Sequence, residues 1–231
     1  MSNGAIYQSA TAAITSGNNT YGTPVVVVSS APFLARKVMV CWNTSGVAAG
    51  ALQISIGSDI VVPFFPASSA PQFTPSPLTL DLLVPQGSSI SIAAASYNTT
   101  QSYNVSLVLF SEGNDDLIGD SIISPGVSLS NAYFQISSAG ANVWTPLGGA
   151  LTRRIKNIKL PYNSTGDAFN MSLGYGTSSP PGTVLLDAVP VGNNTSYTWN
   201  MIEFVYKIPA GQTLYAMQSI AKGAYWPLLT Q

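Results

Sequence analysis

Apolar and polar residues alternate with a period of two along most of this chain, in short runs broken by Gly, Pro and Asn. That spacing puts one face of a strand against a core and the other toward solvent. Leu78, Leu80, Leu82 and Val84, interleaved with Thr79, Asp81 and Leu83, give the clearest run. Val38 to Trp42 alternates and passes through an Asn43 to Gly46 turn into Ala51 to Ile56, which predicts a hairpin. Val25 to Val28 follows Pro24; it is too short for a helix and β-branched throughout, so it reads as a buried strand. Tyr7 to Thr15 reads as an edge strand, Ser16 to Asn19 as a turn, and Ile60 to Phe65 as a short strand ahead of a Pro/Ser/Ala loop over 66–77. Pro85-Gln86-Gly87 turns into Ser88 to Ala95, and Asn104 to Phe110 is the last strand of this half. No long window holds the helical period.

The pattern occurs twice. Arg36, Lys37, Val38, Met39, Val40, Cys41, Trp42 and the turn Asn43-Thr44-Ser45-Gly46 return as Lys156, Asn157, Ile158, Lys159, Leu160, Pro161, Tyr162 and Asn163-Ser164-Thr165-Gly166. Leu52 to Gly57 aligns by pattern with Phe169 to Gly174, Thr23-Pro24 with Thr145-Pro146, and Pro85-Gln86-Gly87 with Pro209-Ala210-Gly211. Ile202, Phe204, Tyr206 and Ile208 repeat the leucine run. Pro161 within the second copy marks an edge or a bulge. The expected fold is all-β: two tandem β-sandwich domains from an internal duplication, jelly-roll-like because about eight short strands per domain exceed the seven of an immunoglobulin-type sandwich. The first domain is placed at 1–112 and the second at 121–231, joined by an acidic linker over 113–120. Around that linker stand Glu112, Asp115, Asp116 and Asp120, without the spacing of an EF-hand calcium loop.

Composition then narrows the function. Only 7% of residues are charged against 46% hydrophobic, where an ordinary domain carries about 25% charged. Such a surface rests on Ser, Thr, Asn, Gln and Gly with apolar area left over, which favours burial in an assembly. With 8 basic and 9 acidic residues there is no field to attract nucleic acid. No stretch is long and apolar enough for a membrane span, since Ile60 to Leu80 is interrupted by five prolines. The first 35 residues carry no side-chain charge and no apolar core of a signal peptide, so synthesis in the cytoplasm is expected. Because no His is present and acids are few, we expect tolerance of acid; an unfolding midpoint falling steeply between about pH 6 and 3 would contradict it.

The residue inventory argues against an enzyme. Ser-His-Asp and Cys-His arrangements are impossible without His, and the usual zinc sites lose their commonest ligand. Asp59, Asp81, Asp187 and Glu203 could supply a glycosidase pair, but Asp81 and Glu203 fall on the polar sides of strands, where a solubilising role suffices. There is no glycine-rich phosphate loop, and no cofactor is expected. The single Cys41, in an apolar run, reads as a small buried hydrophobe.

Three groups remain as candidates for interaction. Arg36 and Lys37, with Arg153, Arg154, Lys156 and Lys159 at related places in the second half, serve either to keep a strand edge soluble or to dock an acidic partner surface. Trp42, Trp144, Trp199, Trp226 and the tyrosines either anchor packing or stack on host sugars; Trp42 and Tyr162 occupy matching positions. Sequons for N-glycosylation begin at Asn18, Asn43, Asn98, Asn104, Asn163, Asn170, Asn193 and Asn194, a pattern that Ser/Thr/Asn-rich turns also produce without sugar.

A duplicated sandwich, a charge-poor surface rich in Tyr, Asn, Ser and Thr, and no signal peptide together resemble the tandem jelly-roll vertex and turret proteins of turreted icosahedral archaeal viruses. The resemblance is architectural and brings no diagnostic motif. It implies a virion location, assembly inside a host, and a penton-like homo-oligomer with fivefold symmetry in contact with other capsid proteins. The alternatives are a carbohydrate-binding attachment module and a secreted β-sandwich filament subunit joined by strand donation.

Overall fold

A computed structural model describes residues 4–44, 50–67, 77–113, 136–137, 141–152, 154–163, 169–191, 199–220, 224–225 and 228–230. The chain is all-β, with no helix among these residues. It divides into two compact units, the first reaching Ile122 and the second beginning at Ile123. The expected acidic linker, apart from Gly113, lies outside the described residues.

Unit 1 holds β1 (Ile6–Gln8), β2 (Ala12–Thr15), β3 (Gly17–Asn18), β4 (Val25–Val28), β5 (Ala35–Thr44), β6 (Gly50–Ile56), β7 (Asp59–Pro66), β8 (Leu78–Val84), β9 (Ile90–Ser96) and β10 (Ser102–Phe110). One sheet runs β1-β10-β5-β8, with β2 also on β10; the other runs β3-β9-β6-β7, with β4 also on β9. With β1 and β2 counted as one interrupted strand, the orders β1/β2-β10-β5-β8 and β4-β9-β6-β7 are those of a jelly roll, the chain changing sheet at each step from β4 onward except at the β6-β7 hairpin. Alternation builds the core: Leu78, Leu80, Leu82 and Val84 point inward from β8, and Val38, Val40 and Trp42 from β5.

Unit 2 holds β11 (Ile136–Ser137), β12 (Thr145–Pro146), β13 (Ile155–Asn163), β14 (Phe169–Gly176), β15 (Thr183–Val191), β16 (Trp199–Ile208), β17 (Thr213–Gln218), β18 (Ala224–Tyr225) and β19 (Leu228–Thr230). Its sheets run β11-β18-β13-β16, with β19 also on β13, and β12-β17-β14-β15. The strand order is that of unit 1. The ladders agree as well. Val38 faces Leu80 as Ile158 faces Phe204, and both pairings slip at one place, between Ala35 and Lys37 and between Ile155 and Asn157. Gly87 and Gly211, at φ 83° and 81°, make the same left-handed turn, and their N–H groups donate to Ala31 O and Leu151 O, each at 2.8 Å.

These ladders correct the alignment read from the sequence. Leu52 faces Ala94 and Ile54 faces Ile92, while Met171 faces Gln218 and Leu173 faces Ala216, so Leu52 corresponds to Met171 rather than Phe169. Likewise Thr145-Pro146 corresponds to Val25-Val26, both pairs facing the same two ladder positions, and not to Thr23-Pro24. In both cases the error is two residues, a shift that leaves every side chain on its own face and so leaves the hydrophobic pattern unchanged. On the corrected alignment the buried residues Ala31, Ala35, Val38, Leu52, Ile54, Val84, Ile90 and Ile92 correspond to Leu151, Ile155, Ile158, Met171, Leu173, Ile208, Leu214 and Ala216. Small residues in one core stand where larger ones fill the other, as at Ala31 and Leu151, Ala35 and Ile155, and Ala216 and Ile92.

Further expectations change. β5 and β6 do not form a hairpin: β5 pairs with β10 and β8, β6 with β9 and β7, so the two strands belong to different sheets. Burial pattern fixes which face of a strand is covered, not which sheet it joins. Residues 17–18 form β3, paired in parallel with β9, rather than a turn. Of Val25 to Val28 only Val28 is buried; Val26 is exposed, and the register with β9 shifts between Val26 and Val28. Cys41 is half-buried, since the pleat that buries Val40 and Trp42 turns the residue between them outward. Pro161 stays in register with β16; on its other side it falls at the break between β19, which ends its pairing at Lys159, and β18, which begins at Tyr162. The missing donor sits where the neighbouring strand is interrupted.

Candidate interaction surface

The outer face of the β1-β10-β5-β8 sheet is built in rows by the ladder. Ile6, Phe110, Lys37 and Asp81 stand in one row; Gln8, Val108, Met39 and Thr79 in the next; Asn104 and Asn43 lie further along. Ile6 is 67% exposed. On this face Cys41 lies opposite Ser106; burial pushes its thiol up, and the hydrogen bond with Ser106 pulls the other way. A thiol raised in this way is a poor nucleophile.

The basic residues are spread along two strands. Arg36 and Lys37 lie on β5, an inner strand flanked by β10 and β8, so they do not guard a sheet edge. Lys37 faces Asp81 across the ladder, and Lys159 faces Glu203 in unit 2. Lys37 therefore has an acid on the next strand, which weakens its face as an acid-seeking patch. Arg36 and Lys156 both sit where the neighbouring strand carries an extra residue. Arg154 is exposed, and Arg153 lies outside the described residues.

The second sheet of each unit presents a different surface. In unit 1 the outward row is Val26, Ser91, Ser55 and Ile60; in unit 2 it is Pro146, Tyr215, Gly174 and Val184. Ile60 on β7 and Val184 on β15 hold the same ladder position on the edge strand of their sheets and are 53% and 49% exposed; Val26 is 55% exposed. Sequence reading placed no function on these positions, because a single outward Ile or Val in a strand carries no signal of its own.

The two rows are covered differently. In unit 1 Tyr21 lies before β4, and its hydroxyl donates to Pro63 O on β7 at 2.8 Å. The ring therefore crosses the sheet's outer surface, which explains why outward-facing Ala93 is buried, and burial pushes the Tyr21 phenol up. In unit 2 the longer turn between β14 and β15 folds back, with Pro181 buried over Gly174 and Ser179 Oγ donating to Trp144 O at 3.3 Å.

Of the aromatics, Trp42 is buried and packs; Trp144 is half-buried; Trp226 and the Trp199 side chain lie outside the described residues. Tyr175 and Tyr206 form a tilted pair with centroids 6.1 Å apart, and the hydrogen bond with Tyr175 raises the Tyr206 phenol. Asp187 accepts from Ser172 Oγ at 3.0 Å, and Asp59 lies beside Ser58. Among the described residues no group of three or more acids or thiols converges as a metal site.

The sequons fall into two kinds. Asn18, Asn43, Asn104, Asn163 and Asn170 lie within strands; Asn98 lies in the turn after β9; Asn193 and Asn194 lie outside the described residues. The chain matches no protein-family model and no curated protein.

Proposed function

We propose that the chain is a structural subunit of a virion, of the vertex or turret kind, that works by self-association and carries no catalytic activity. The duplicated strand order supports descent of both units from one ancestral jelly roll. The observation that carries the reading is the matched pair Ile60 and Val184: β-branched, about half exposed, and at one ladder position in both units of a chain with only 7% charged residues. Repeated apolar positions on a poorly ionised surface are stable in water when sister chains cover them.

Light scattering and particle imaging test this. The wild-type chain is expected to form a closed homo-oligomer and to appear at particle vertices, and the Ile60→Ser, Val184→Ser double variant to fall toward monomer. A stable wild-type monomer absent from particles overturns the proposal.

A second reading is favoured by Tyr206, 39% exposed beside Tyr175, as an aromatic platform for host sugars. Titration with surface glycans should then give saturable heat that Tyr206→Ala abolishes; no heat removes this reading.

A further inference from the structure

We infer that Asn98 is a glycan acceptor of this chain, selected from the sequons by the geometry of its carboxamide. Asn98 begins Asn98-Thr99-Thr100 in the turn between β9 and β10, and all three residues are exposed. Its backbone N–H donates to Asn19 Oδ1 at 3.1 Å, and Asn19 Nδ2 donates to Asn98 Oδ1 at 2.8 Å. This reciprocal pair settles which end of each amide is which. An N–H needs an oxygen acceptor, so Oδ1 of Asn19 faces the Asn98 backbone, and the remaining donor of Asn19 can meet only an oxygen of Asn98. The Asn98 carboxamide is thus held by its oxygen, and its Nδ2 is the end turned away from the clamp. Asn98 and Asn19 stand at φ 53° and 55°, a left-handed conformation that asparagine tolerates.

The other described sequons lack this arrangement. Asn104 Nδ2 donates to Asn43 Oδ1 at 3.0 Å, and both residues lie within paired strands. Asn170 stands on β14 between β15 and β17, and its N–H donates to Ser219 Oγ at 2.9 Å. Asn18 belongs to β3 and Asn163 to β13. A transferase must draw the acceptor segment into its own site, and among the described sequons only Asn98 lies outside the strands, so that this leaves the ladder hydrogen bonds intact.

The co-reactant is a sugar carried on a polyprenyl phosphate or diphosphate. The Asn98 Nδ2 lone pair attacks the anomeric carbon; a C–N bond forms as the bond to phosphate oxygen breaks. The phosphate departs with that electron pair, and Nδ2 gives up one proton.

The test is mass spectrometry of the full chain from cells that naturally make it, with and without substitutions. The intact mass should exceed that of the bare chain by whole sugar units, and fragmentation should place at least one glycan on the peptide containing Asn98. Asn98→Gln and Thr100→Val should each remove that increment, and Thr100→Ser should keep it. Thr100→Val leaves Asn98 and its clamp in place, so its loss of sugar cannot be ascribed to a strained turn. A bare Asn98 peptide in the natural protein, or sugar retained there after Thr100→Val, overturns the inference.

Discussion

One sheet face is shielded in two ways in the same molecule. In unit 1 a single tyrosine, Tyr21, reaches across the β3-β9-β6-β7 sheet to Pro63 O; in unit 2 the corresponding surface is covered by Pro181, carried on the turn between β14 and β15. The ladders beneath are the same. The strand framework therefore sets which residues face out, while the loops decide what lies on them. The floor is fitted to its cover: Ser55 in unit 1 becomes Gly174 in unit 2, where an added Cβ would lie 2.7 Å from Thr183 O and 2.8 Å from Pro181 Cγ.

The widest test compares the two cores. Ile54→Ala should destabilise unit 1, and Leu173→Ala unit 2, by about 2–5 kcal/mol each, because both residues are fully buried at one ladder position. Hydrogen exchange resolved by unit checks this; equal loss of protection in both units from either variant breaks the picture of two separate cores. Gly174→Ala should cost unit 2 about 1–3 kcal/mol in urea unfolding, since backbone on one side prevents relief. Ser55→Ala, its counterpart, should change stability by less than about 0.5 kcal/mol, and equal effects would show that Pro181 is not what demands glycine.

Tyr21→Phe should cost unit 1 about 0.5–1.5 kcal/mol by removing the bond to Pro63 O. It also predicts a pH effect. Burial disfavours the phenolate, so the folded-state pKa lies above the ordinary 10.0. The stabilisation is complete below that value and is lost as pH rises above it, where the unfolded chain releases its proton first. Urea midpoints above about pH 10 should therefore fall less steeply in Tyr21→Phe than in wild type.

The sequence showed where strands lie and which way their residues face, because burial acts on alternate positions: β8 is read residue by residue from Leu78 to Val84. It did not show partners. The Asn43 to Gly46 turn looks like that of a hairpin, yet β5 and β6 belong to different sheets, and local chemistry is blind to which strand arrives later from far along the chain. The two-residue slip at Leu52 and Met171 was invisible for the same reason that makes a strand pattern legible, its period of two. Cys41 was misplaced by weighing its apolar neighbours above the alternation. The surface that now carries the functional reading, Ile60 with Val184, emerged only once the ladders had put the two residues at one position. The Asn19–Asn98 clamp joins residues far apart in the chain and left no local trace.

The placement of β10 bears on the order in which the molecule can mature. It is the middle strand of its sheet, joining β1 and β2 on one side to β5 on the other, although it comes last in unit 1. Until the ribosome has extruded residues up to Phe110, β1 and β2 have no docking strand, and β5 lies beside an empty lane. Unit 1 thus stays unfinished through nearly all of its own translation and closes in one late step, while unit 2 is still being made.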